Sequence, residues 1–542
     1  MIRRLAVAAG AVTLTLAFGL PATPASGAPG RGSLTPIQQA VRYKMSHGYI
    51  PIGGPAAYER YSAAAAARAA RLHGGSGGVT PAGPHGPVVG PSWQGVDEND
   101  LSPPDPTGAI GPHGYVETIN LQIALYDRAG NLVAKAPFSA MGGESGDFLS
   151  DPQVLFDPRS NRFYYNVLDV GSETAPKSTM IFGFSKTNAP TSLPGSFCSY
   201  ELDFGWGGLI ADYPKMGTTT DFILIGVNDY PTLATFTGSD VGWIRKSHSR
   251  KPVTTCPPAS AVKHGKVGPL LNDDGVTLAS TPEPAVETDP SSTGWIVAVP
   301  DSTNSGASGT KLELYKVTTN PDGTPNIETT GHAVTVAMYS PPAPAPQKNG
   351  VHTVDTLDGR LIKAVSAIDP SHGGKLGVWT SHTVFGGAGA EVRWYEIDPD
   401  AAALLQNGSV TDPSLFAFNG AVAPDRAVQG RKMSKRHFGD SMGLGFNTSS
   451  PNDFPAIQMV SKVRGNPQSA FVMIQQSPGP DEGFDCWELG KCRWGDYSGA
   501  FPDPAAPSSG SVGKVWFSNM WADGDTDPLA ATWRTWNWGA TP

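Results

Sequence analysis

Short apolar runs alternate with clusters of turn-forming residues from Asp105 to the C-terminus, and this alternation is the dominant pattern of the chain. Runs such as 222–227 and 295–299 have the length of strands and are rich in β-branched and aromatic residues, whereas Gly, Pro, Asn and Asp separate them. No long helical period interrupts them, apart from a short stretch at 401–405. The pattern therefore predicts an all-β fold built from many short strands.

One unit recurs along this region, and it consists of a polar anchor, a strand, a turn that contains Asp, and a second strand. Its clearest copy is Arg-Trp-Gly-Asp-Tyr-Ser-Gly at 493–499, which is followed by the apolar run 515–519. Each unit has the turn chemistry of an antiparallel hairpin. The anchors are Asp105, Asp151, Asp212, Glu283, His352, Asp440 and Asp496.

The spacing of the anchors indicates a radial repetition of sheets. The first interval, from 105 to 151, fits a four-stranded propeller blade of about 40–50 residues, and the longer intervals leave room for loops. Radial repetition leaves few exposed sheet edges, which suits a secreted chain. We therefore predict a β-propeller over residues 93–542, with seven blades as the count and six or eight as alternatives.

The N-terminus has the pattern of a secretory signal peptide, which we assign to residues 1–28. Arg3 and Arg4 precede the apolar run 5–20, and small residues at 25–28 offer a cleavage site. The apolar run is too short and too rich in Ala and Gly for a membrane anchor, and no later stretch is long enough to span a bilayer. We expect a secreted, extracellular protein without a membrane span.

The segment 29–73 has a different character and predicts a helical N-terminal extension. Thr35 suits an N-cap with Pro36 at the first helical position, and the Ala-rich stretch 56–72 favours a helix. This extension either packs on the main domain or serves as a pro-segment or an interaction helix. A Gly/Pro-rich linker, 74–92, joins it to the propeller.

Composition and charge narrow the class of partner. The 542 residues include 65 Gly and 50 Pro, but the aromatic and β-branched residues still supply a core. The formal net charge of -9 disfavours nucleic acid, because a phosphate backbone requires a basic surface. We expect an extracellular glycan or protein as the ligand, and a monomeric protein.

The four cysteines, an even number in a secreted chain, predict two disulfides. Cys486 and Cys492 are close in sequence and would close a small loop, which leaves Cys198 to pair with Cys256. The alternative is a zinc site, but the spacing of the ligands is wrong and no pair of histidines accompanies them.

Four anchors and one histidine are candidates for a ring of ligand-binding side chains. Equivalent positions of successive blades surround the axis of a propeller, so Asp105, Asp151, Asp212 and Glu283 would face the central channel, with His352 in place of an acid. Carboxylates in such a ring repel one another unless they are paired, protonated or bound to a cation. The ring is a site for calcium or another cation, an acid/base pair, or a set of turn residues that accept backbone hydrogen bonds.

Four residues at the last two anchors are candidates for catalysis. Asp440 and Asp496 are the anchors, and His437 and Arg493 lie just before them, where they would form a basic cluster able to hold a carboxylate or a sugar. Asp440 also lies in a Gly-x-Ser-x-Gly sequence at 439–443. The repeat already explains this match, and the motif has meaning only at the strand-to-helix turn of an α/β-hydrolase.

The acidic stretch that contains Asp523, Asp525 and Asp527 resembles the start of a calcium-binding loop. Pro528 stands where an EF-hand loop has its glycine, and Arg534 stands where it has its last acid. The stretch is therefore not an EF-hand, and it is either a looser calcium site or a plain acidic turn.

Four stretches together resemble a group of large secreted bacterial β-propeller proteins, over the region from residue 95 to the end. They are 105–111, 151–157, 212–217 and 493–498. The resemblance implies the fold and the compartment, and it carries over no catalytic residue. The likeness to sialidases is one of architecture only, since the Ser-x-Asp-x-Gly-x-Thr-Trp motif of those enzymes is absent from the sequence.

Two classes of function suit a secreted propeller. The first is a binding or scaffold protein that presents its loops to an extracellular glycan or protein, and it predicts an aromatic or polar patch on one face. The second is a hydrolase or lyase acting on an extracellular polysaccharide at the mouth of the channel, and it predicts two carboxylates about 5–10 Å apart in an open cleft. We favour the first, because no catalytic signature stands out from the repeat.

Overall fold

The computed structural model is all-β with short helices at its N-terminal end, as the sequence predicts. Most of the predicted signal peptide, residues 74–85 of the predicted linker and His437 lie outside the described residues. The described residues are 2–3, 34–72, 86–98, 100–144, 146–428, 438–505 and 512–542.

Two helices precede most of the strands, and the sequence explains where the first one begins. The side chain of Thr35 accepts a hydrogen bond from the amide of Gln38, and Gln38 reaches back to Thr35, which completes a capping box. Every helix in the described part of the chain is too short or too polar to cross a membrane. The helices are α1 (Pro36–His47), α2 (Pro55–Ala69), α3 (Asp301–Asn304) and α4 (Phe484–Leu489), and short 3-10 helices occupy Phe138–Met141, Ala259–Ala261 and Pro370–His372.

The strands are numbered here in chain order. The first sixteen are β1 (Ile2–Arg3), β2 (Val88–Gln94), β3 (Leu101–Ser102), β4 (Thr107–Ile110), β5 (Gly114–Ile119), β6 (Gln122–Asp127), β7 (Leu132–Pro137), β8 (Leu149–Asp157), β9 (Arg162–Gly171), β10 (Pro176–Ser185), β11 (Phe197–Leu202), β12 (Ile210–Thr218), β13 (Phe222–Tyr230), β14 (Gly238–Arg245), β15 (His264–Val267) and β16 (Ala279–Pro284). The others are β17 (Val286–Glu287), β18 (Gly294–Pro300), β19 (Gly309–Thr319), β20 (Pro325–Ile327), β21 (His332–Tyr339), β22 (Leu361–Asp369), β23 (Lys375–Val384), β24 (Glu391–Asp398), β25 (Ala403–Val410), β26 (Phe416–Pro424), β27 (Ser441–Ser450), β28 (Asp453–Val463), β29 (Val472–Gln476), β30 (Gly499–Pro502), β31 (Val515–Ala522) and β32 (Trp533–Thr541).

Most strands belong to antiparallel sheets of four or five strands, in which consecutive strands pair as hairpins. These sheets have the orders β4-β5-β6-β7, β8-β9-β10-β11, β16-β18-β19-β20 with β21 also on β19, β26-β27-β28-β29, and β30-β31-β32-β2. The innermost strands contact one another in a closed circuit, which runs from β4 through β8, β12, β16, β22, β26 and β30 back to β4. This radial arrangement is that of a β-propeller.

The predicted count of seven separate blades is wrong for the sheets of this structure. Five separate sheets of blade size are present, and the other propeller strands form one nine-stranded sheet, β15-β14-β13-β12-β17-β22-β23-β24-β25. The two-residue strand β17 is the reason, because it pairs in parallel with both β12 and β22. It joins two four-stranded antiparallel runs that the sequence pattern alone treats as independent units.

The two ends of the propeller meet in its last sheet. β2 pairs antiparallel with β32, so the first strand of the propeller completes the sheet that the last three strands begin. Because β2 begins at Val88, the propeller starts before residue 93, where the sequence places the end of the linker. Helices α1 and α2 take no part in this sheet framework.

The hydrophobic core lies between neighbouring sheets. Phe517 of β31 and Trp538 of β32 stack with their ring centroids 4.9 Å apart, and they pack in one cluster with Ala421 of β26 and Ile457 of β28. Both faces of a sheet are covered in this arrangement, and this explains why strands such as β13 are buried at every position.

The innermost strands share a backbone irregularity beside a proline. Asp105, Asp151, Tyr213 and Thr281 each precede a proline, and their φ angles of 50°, 55°, 61° and 50° are in the left-handed region. The pairing register shifts at the same place in β8, β12 and β16, as it does at a β-bulge. A non-glycine residue in this conformation costs about 1–3 kcal/mol, so the surrounding contacts must hold it there.

Both predicted disulfides are confirmed. Cys198 of β11 is bonded to Cys256, in the long segment between β14 and β15, and Cys486 of α4 is bonded to Cys492. Disulfides persist in oxidising compartments, so the two bonds fit an extracellular protein.

Replacing Gly217 by Ala tests the close approach of neighbouring inner strands. A Cβ at Gly217 of β12 would lie 2.1 Å from the carbonyl oxygen of Pro284 in β16, so the backbone would have to shift. We expect Gly217→Ala to lower the free energy of unfolding by about 1–3 kcal/mol, measured by chemical denaturation. Gly465→Ala is the control, because a Cβ there meets nothing within 4 Å. An equal loss in both variants would contradict this packing.

Candidate functional site

Four carboxylates from different parts of the ring converge beside the innermost strands. Asp151 lies in β8 and Asp212 in β12, while Asp105 and Asp496 lie shortly before β4 and β30; all four are fully buried. The amide of Asp496 donates to Asp105 Oδ1 at 2.7 Å. Asn120 joins Asp105 to Asp151, since its side chain donates to Asp105 at 2.6 Å and accepts from the amide of Asp151 at 2.8 Å. These four acids are the carboxylate cluster.

Residues 34–72, the N-terminal segment, supply a cation to the carboxylate cluster. Lys44 of α1 is fully buried, and its Nζ lies 2.8 Å from Asp151 and 2.6 Å from Asp212. The carbonyl oxygen of Gly48 accepts from the same nitrogen at 2.6 Å, so all three ammonium protons have an acceptor. Burial alone would lower the pKa of Lys44, but the two carboxylates raise the pKa above its ordinary value and keep the ammonium charged.

Other residues of the N-terminal segment also contact the centre of the propeller. The amide of Ile50 donates to Asp212 Oδ2 at 2.7 Å, and the hydroxyl of Tyr58 donates to Asp355. The guanidinium of Arg493 lies 4.4 Å from the ring centroid of Tyr49, within cation–π range. The segment is therefore held by charge, backbone and aromatic contacts together.

Two stacked tyrosines lie beside the carboxylate cluster. The ring centroids of Tyr213 and Tyr497 are 4.8 Å apart, and the hydroxyl of Tyr497 donates to Asp151 at 2.9 Å. The ammonium of Lys215 lies 4.5 Å from the ring centroid of Tyr213 and 4.1 Å from that of Tyr497. The pair of rings thus contacts both an acid and a cation of the buried centre.

The arginines next to the cluster are paired with acids. Arg493 binds Asp355 at 2.6 Å and also Asp496, and Arg360 binds Asp358 at 2.7 Å. Burial alone would raise the pKa of Asp355, but Lys491 and Arg493 lower it to about 2. Asp355 is therefore ionised and neutralised inside the protein.

One member of the carboxylate cluster favours its protonated form. Burial raises the pKa of Asp105 well above its ordinary value, and the neighbouring Asp496 and Asp151 raise it further. Burial also raises the pKa of Asp496, although Arg493 opposes this shift. A carboxyl that keeps its proton beside one that is ion-paired can act as an acid next to a base. Both groups are, however, fully buried.

The structure separates several predicted site residues from this cluster. Glu283 lies 3.9 Å from Lys215, and His352 Nδ1 lies 2.6 Å from Glu482 with its ring against that of Trp487. Asp440 pairs with Arg464 at 3.3 Å, and His437 lies outside the described residues. The predicted channel ring is therefore corrected: its acids Asp105, Asp151 and Asp212 converge with Asp496, whereas Glu283 and His352 do not join them.

The acids do not occupy equivalent positions in the successive units, and this explains why Glu283 lies apart from the others. In the first two units the acid itself is the left-handed residue before proline, but in the next two Tyr213 and Thr281 take that place. Asp212 lies one residue before it, and Glu283 lies two residues after it. Lys215 also follows its left-handed residue by two positions, which is why Glu283 lies beside this lysine and not beside the acids.

The predicted calcium loop uses its acids to hold its own turn. Asp523 accepts from the amide of Asp525 at 2.8 Å, Asp525 accepts from the amide of Asp527 at 3.2 Å, and Asp523 also pairs with Arg534 at 2.5 Å. Within the described ranges, these carboxylates do not gather three ligand atoms around one point.

Another set of side chains in the described part of the chain does gather three ligand atoms. Asp369, His372 and Glu396 each offer one, and these atoms lie within 4.8 Å of one another. His372 Nδ1 lies 2.5 Å from Asp369, and Gln406 donates to Glu396 at 2.7 Å. The set could hold a cation, but its groups are already hydrogen-bonded to one another and to the sheet.

A cleft between two sheets was not predicted from the sequence. It has a volume of about 320 Å³ and lies between the sheet of β8–β11 and strand β14, under the segment that Cys256 tethers to Cys198. Tyr164, Phe182 and Phe184 line it with their rings, and hydroxyls of the segment after β14 lie at its edge. We refer to it as the flank cleft. The sequence does not show that aromatic residues of separate strands line one cavity.

Sequence reasoning also missed Lys44, although a signal for it was present. Lys44 follows Ala40 and Val41 by four and three residues, which is the spacing of one helix face, and both of those residues are buried. A lysine on the buried face of a helix requires a buried acid. The local sequence does not say which acid that is.

Comparisons with known proteins show a likeness in structure alone. No protein-family model matches the sequence, and no curated protein matches it significantly. Among solved structures, the chain is similar to the Dos1 propeller (11% identity, 84% of this chain and 95% of that chain, TM-score 0.35). It is also similar to an exo-β-1,3-galactanase from Phanerochaete chrysosporium (8% identity, 72% of this chain and 94% of that chain, TM-score 0.29). A third similar structure is AztD from Citrobacter koseri (11% identity, 69% of this chain and 74% of that chain, TM-score 0.29). Identities and scores of this size say nothing about the site.

Replacing Lys44 by Met tests the ion pairs at the centre. The change leaves two buried carboxylates without their cation, so we expect the free energy of unfolding to fall by about 3–5 kcal/mol. The control is Arg42→Met on the same helix, because Arg42 is 59% exposed and an exposed pair such as that with Glu173 contributes little to stability. Chemical denaturation measures both, and equal losses would contradict the role assigned to Lys44.

Glu283 makes the stability of the protein depend on pH. Burial raises the pKa of Glu283 from 4.5 to about 7, although Lys215 and Lys363 oppose the shift. Between these two values the folded chain holds a proton that the unfolded chain has lost, so this group makes the free energy of unfolding fall as the pH rises. We expect Glu283→Gln to flatten this fall in denaturation measured from pH 4.5 to 7. The same flattening in Glu144→Gln, a surface acid that is 71% exposed, would contradict the prediction.

Proposed function

We propose that the chain is a secreted β-propeller of the binding or scaffold class, and that it recognises an extracellular glycan or protein through the flank cleft. The supporting observation is the row of aromatic side chains along this cleft, because a binding propeller calls for an aromatic patch on one face. The pattern of the first 28 residues and the two disulfides support secretion.

The flank cleft offers a ligand both stacking and hydrogen bonding. Tyr164, Phe182 and Phe184 form the row, and the ring centroid of Tyr164 lies 6.1 Å from that of Phe182 and 6.2 Å from that of Phe184. Phe184 is half-buried, whereas Tyr164 and Phe182 are buried. Such faces suit the apolar side of a sugar ring or an apolar side chain, and the hydroxyls at the edge suit its polar groups. A volume of about 320 Å³ is at the low end for ligand sites, so one sugar unit or one side chain fits better than a long chain.

The cations beside the cleft do not set its specificity. The guanidinium of Arg162 donates to the carbonyl of Ser185 at 2.9 Å and to further carbonyls, and Lys246 pairs with Asp157 at 3.0 Å. Because carbonyl oxygens occupy the N–H donors of Arg162 and an acid pairs with Lys246, we assign neither side chain to the binding of a ligand. Neutral glycans and apolar peptide side chains are the classes we expect it to bind.

The second candidate is a hydrolase or lyase acting on an extracellular polysaccharide at the centre of the ring. The observation in its favour is the pair Asp105 and Asp496, in which the amide of Asp496 donates to Asp105 at 2.7 Å. Burial and neighbouring acids raise the pKa of Asp105, whereas Arg493 pairs with Asp496 and opposes the rise in the pKa of that acid. This pair is fully buried, so the reaction would require the N-terminal segment to leave first.

Binding to immobilised glycans and peptides tests the first candidate. We expect the purified mature protein to bind members of an array of neutral oligosaccharides and apolar peptides, and Phe184→Ala to weaken that binding about tenfold or more, because interface aromatics contribute more than about 1 kcal/mol each. The assay is fluorescence binding to the array, followed by titration of each ligand that binds.

The control is an aromatic residue elsewhere on the surface. Trp487 is 53% exposed and lies outside the flank cleft, so Trp487→Ala should leave the affinity unchanged. Equal effects of the two substitutions, or release of new sugar ends from the bound polysaccharide, would contradict the binding assignment. The second of these results would favour the hydrolase or lyase.

A further inference from the structure

Among the described residues of the propeller, no cation forms an ion pair with Asp151 or Asp212. Two buried arginines of the propeller beside the carboxylate cluster are engaged by other acids, namely Arg493 by Asp355 and Asp496, and Arg360 by Asp358. In the described part of the chain, the ion pairs of Asp151 and Asp212 are those with Lys44. The acids of the inner strands β8 and β12 therefore obtain their counter-charge from a segment outside the sheets.

We propose that Asp151 and Asp212 form a binding site for a lysine of a polypeptide ligand, and that Lys44 occupies this site as an internal ligand until it is displaced. Two buried carboxylates directed at one point repel each other and are costly to keep ionised without a counter-charge. The site is thus complete only when an ammonium group is present.

The contacts select a polypeptide and not a simple ion. Asp212 accepts an ammonium proton through Oδ1 and a backbone amide, that of Ile50, through Oδ2. The third acceptor of the ammonium is the carbonyl of Gly48, which belongs to the same segment as Lys44. A metal ion would supply neither the amide nor the carbonyl. The pair of acids therefore recognises a lysine together with the backbone that follows it.

The N-terminal segment can leave without breaking a sheet. Its helices form no strand pairing, and the first propeller strand, β2, begins only at Val88. At the edge of the contact, Arg42 pairs with Glu173 and Lys491 pairs with Glu59, and Arg42 and Glu59 are 59% and 68% exposed. Exposed pairs of this kind contribute little to stability, because water screens the charges and the long side chains lose freedom on pairing. The buried ammonium is therefore the main charged contact that retains the segment.

Removal of the segment would uncover a second site, at the centre of the ring. This site is distinct from the flank cleft, which the N-terminal segment does not line. The consequence is a propeller whose central site is blocked by its own chain until a lysine-bearing polypeptide takes the place of Lys44.

Exchange of the segment in a nicked protein tests the proposal. A protease recognition sequence is inserted between Gly77 and Gly78 of the full chain and cut, which leaves the two parts associated. A fluorescent synthetic peptide of residues 34–72 is then added and its binding is followed by anisotropy. We expect it to replace the native segment while the circular dichroism of the sheets stays unchanged.

Two variant peptides decide whether the ammonium is recognised, and the protein itself stays wild type. The Lys44→Met peptide should bind at least about 100-fold more weakly, whereas the Arg42→Met peptide should bind within about threefold of the wild type. Equal binding of the Lys44→Met peptide would overturn the proposal. Release of the segment only when the sheets unfold, or its displacement by calcium alone, would also overturn it.

The outcome is separable from that of the proposed function. The exchange assay uses the protein without any glycan, and Phe184→Ala should leave the exchange unchanged because Phe184 lies in the flank cleft. Failure to bind glycans would therefore not contradict the proposed lysine site, and failure of the exchange would not contradict the proposed role of the flank cleft.

Discussion

The two ion pairs of Lys44 with Asp151 and Asp212 are the interaction on which the centre of this protein depends. The two acids lie in β8 and β12, which are neighbours in the circuit of inner strands, and neither is exposed to water. Without a cation their repulsion would push these strands apart, and the desolvation of each charge costs several kcal/mol. A single ammonium turns this repulsion into attraction. The same contact positions α1, so the charge balance of the ring and the placement of the N-terminal segment have one cause.

The geometry of the inner strands explains why acids meet at this point. A left-handed residue before proline bends the start of the strand, and Asp105 and Asp151 occupy that place in two successive units. Asn120 then links the side chain of Asp105 to the backbone amide of Asp151, and these hydrogen bonds hold the strained backbone. Asp105 and Asp212 both accept hydrogen bonds from backbone amides. An acid at this place can therefore hold the backbone and also bind a ligand, so the two roles do not exclude each other.

The sequence was sufficient for local features and insufficient for those that depend on packing. Turn chemistry and apolar runs predicted the strands, the capping signals at Thr35 predicted the start of α1, and cysteine spacing predicted both disulfides. The predicted number of blades was wrong because β17, only two residues long, joins two runs of strands through parallel pairing. The sequence pattern does not indicate this pairing. The ring was misassigned at Glu283 because this acid lies two residues after the left-handed residue of its unit, and a shift along a strand changes the neighbours of a side chain. Lys44 was missed because its partners are 107 and more residues away.

Native-state hydrogen exchange measures the central claim most directly, namely that the N-terminal segment is a separate unit held in a site of the propeller. The amides of α1 and α2 are compared with those of β8 and β12 in the wild-type chain under increasing denaturant. The account predicts that the helical amides exchange through an opening of lower free energy, while the amides of both inner strands stay protected. Exchange of the helices and strands together, only in global unfolding, would contradict the account and make the segment an integral part of the propeller.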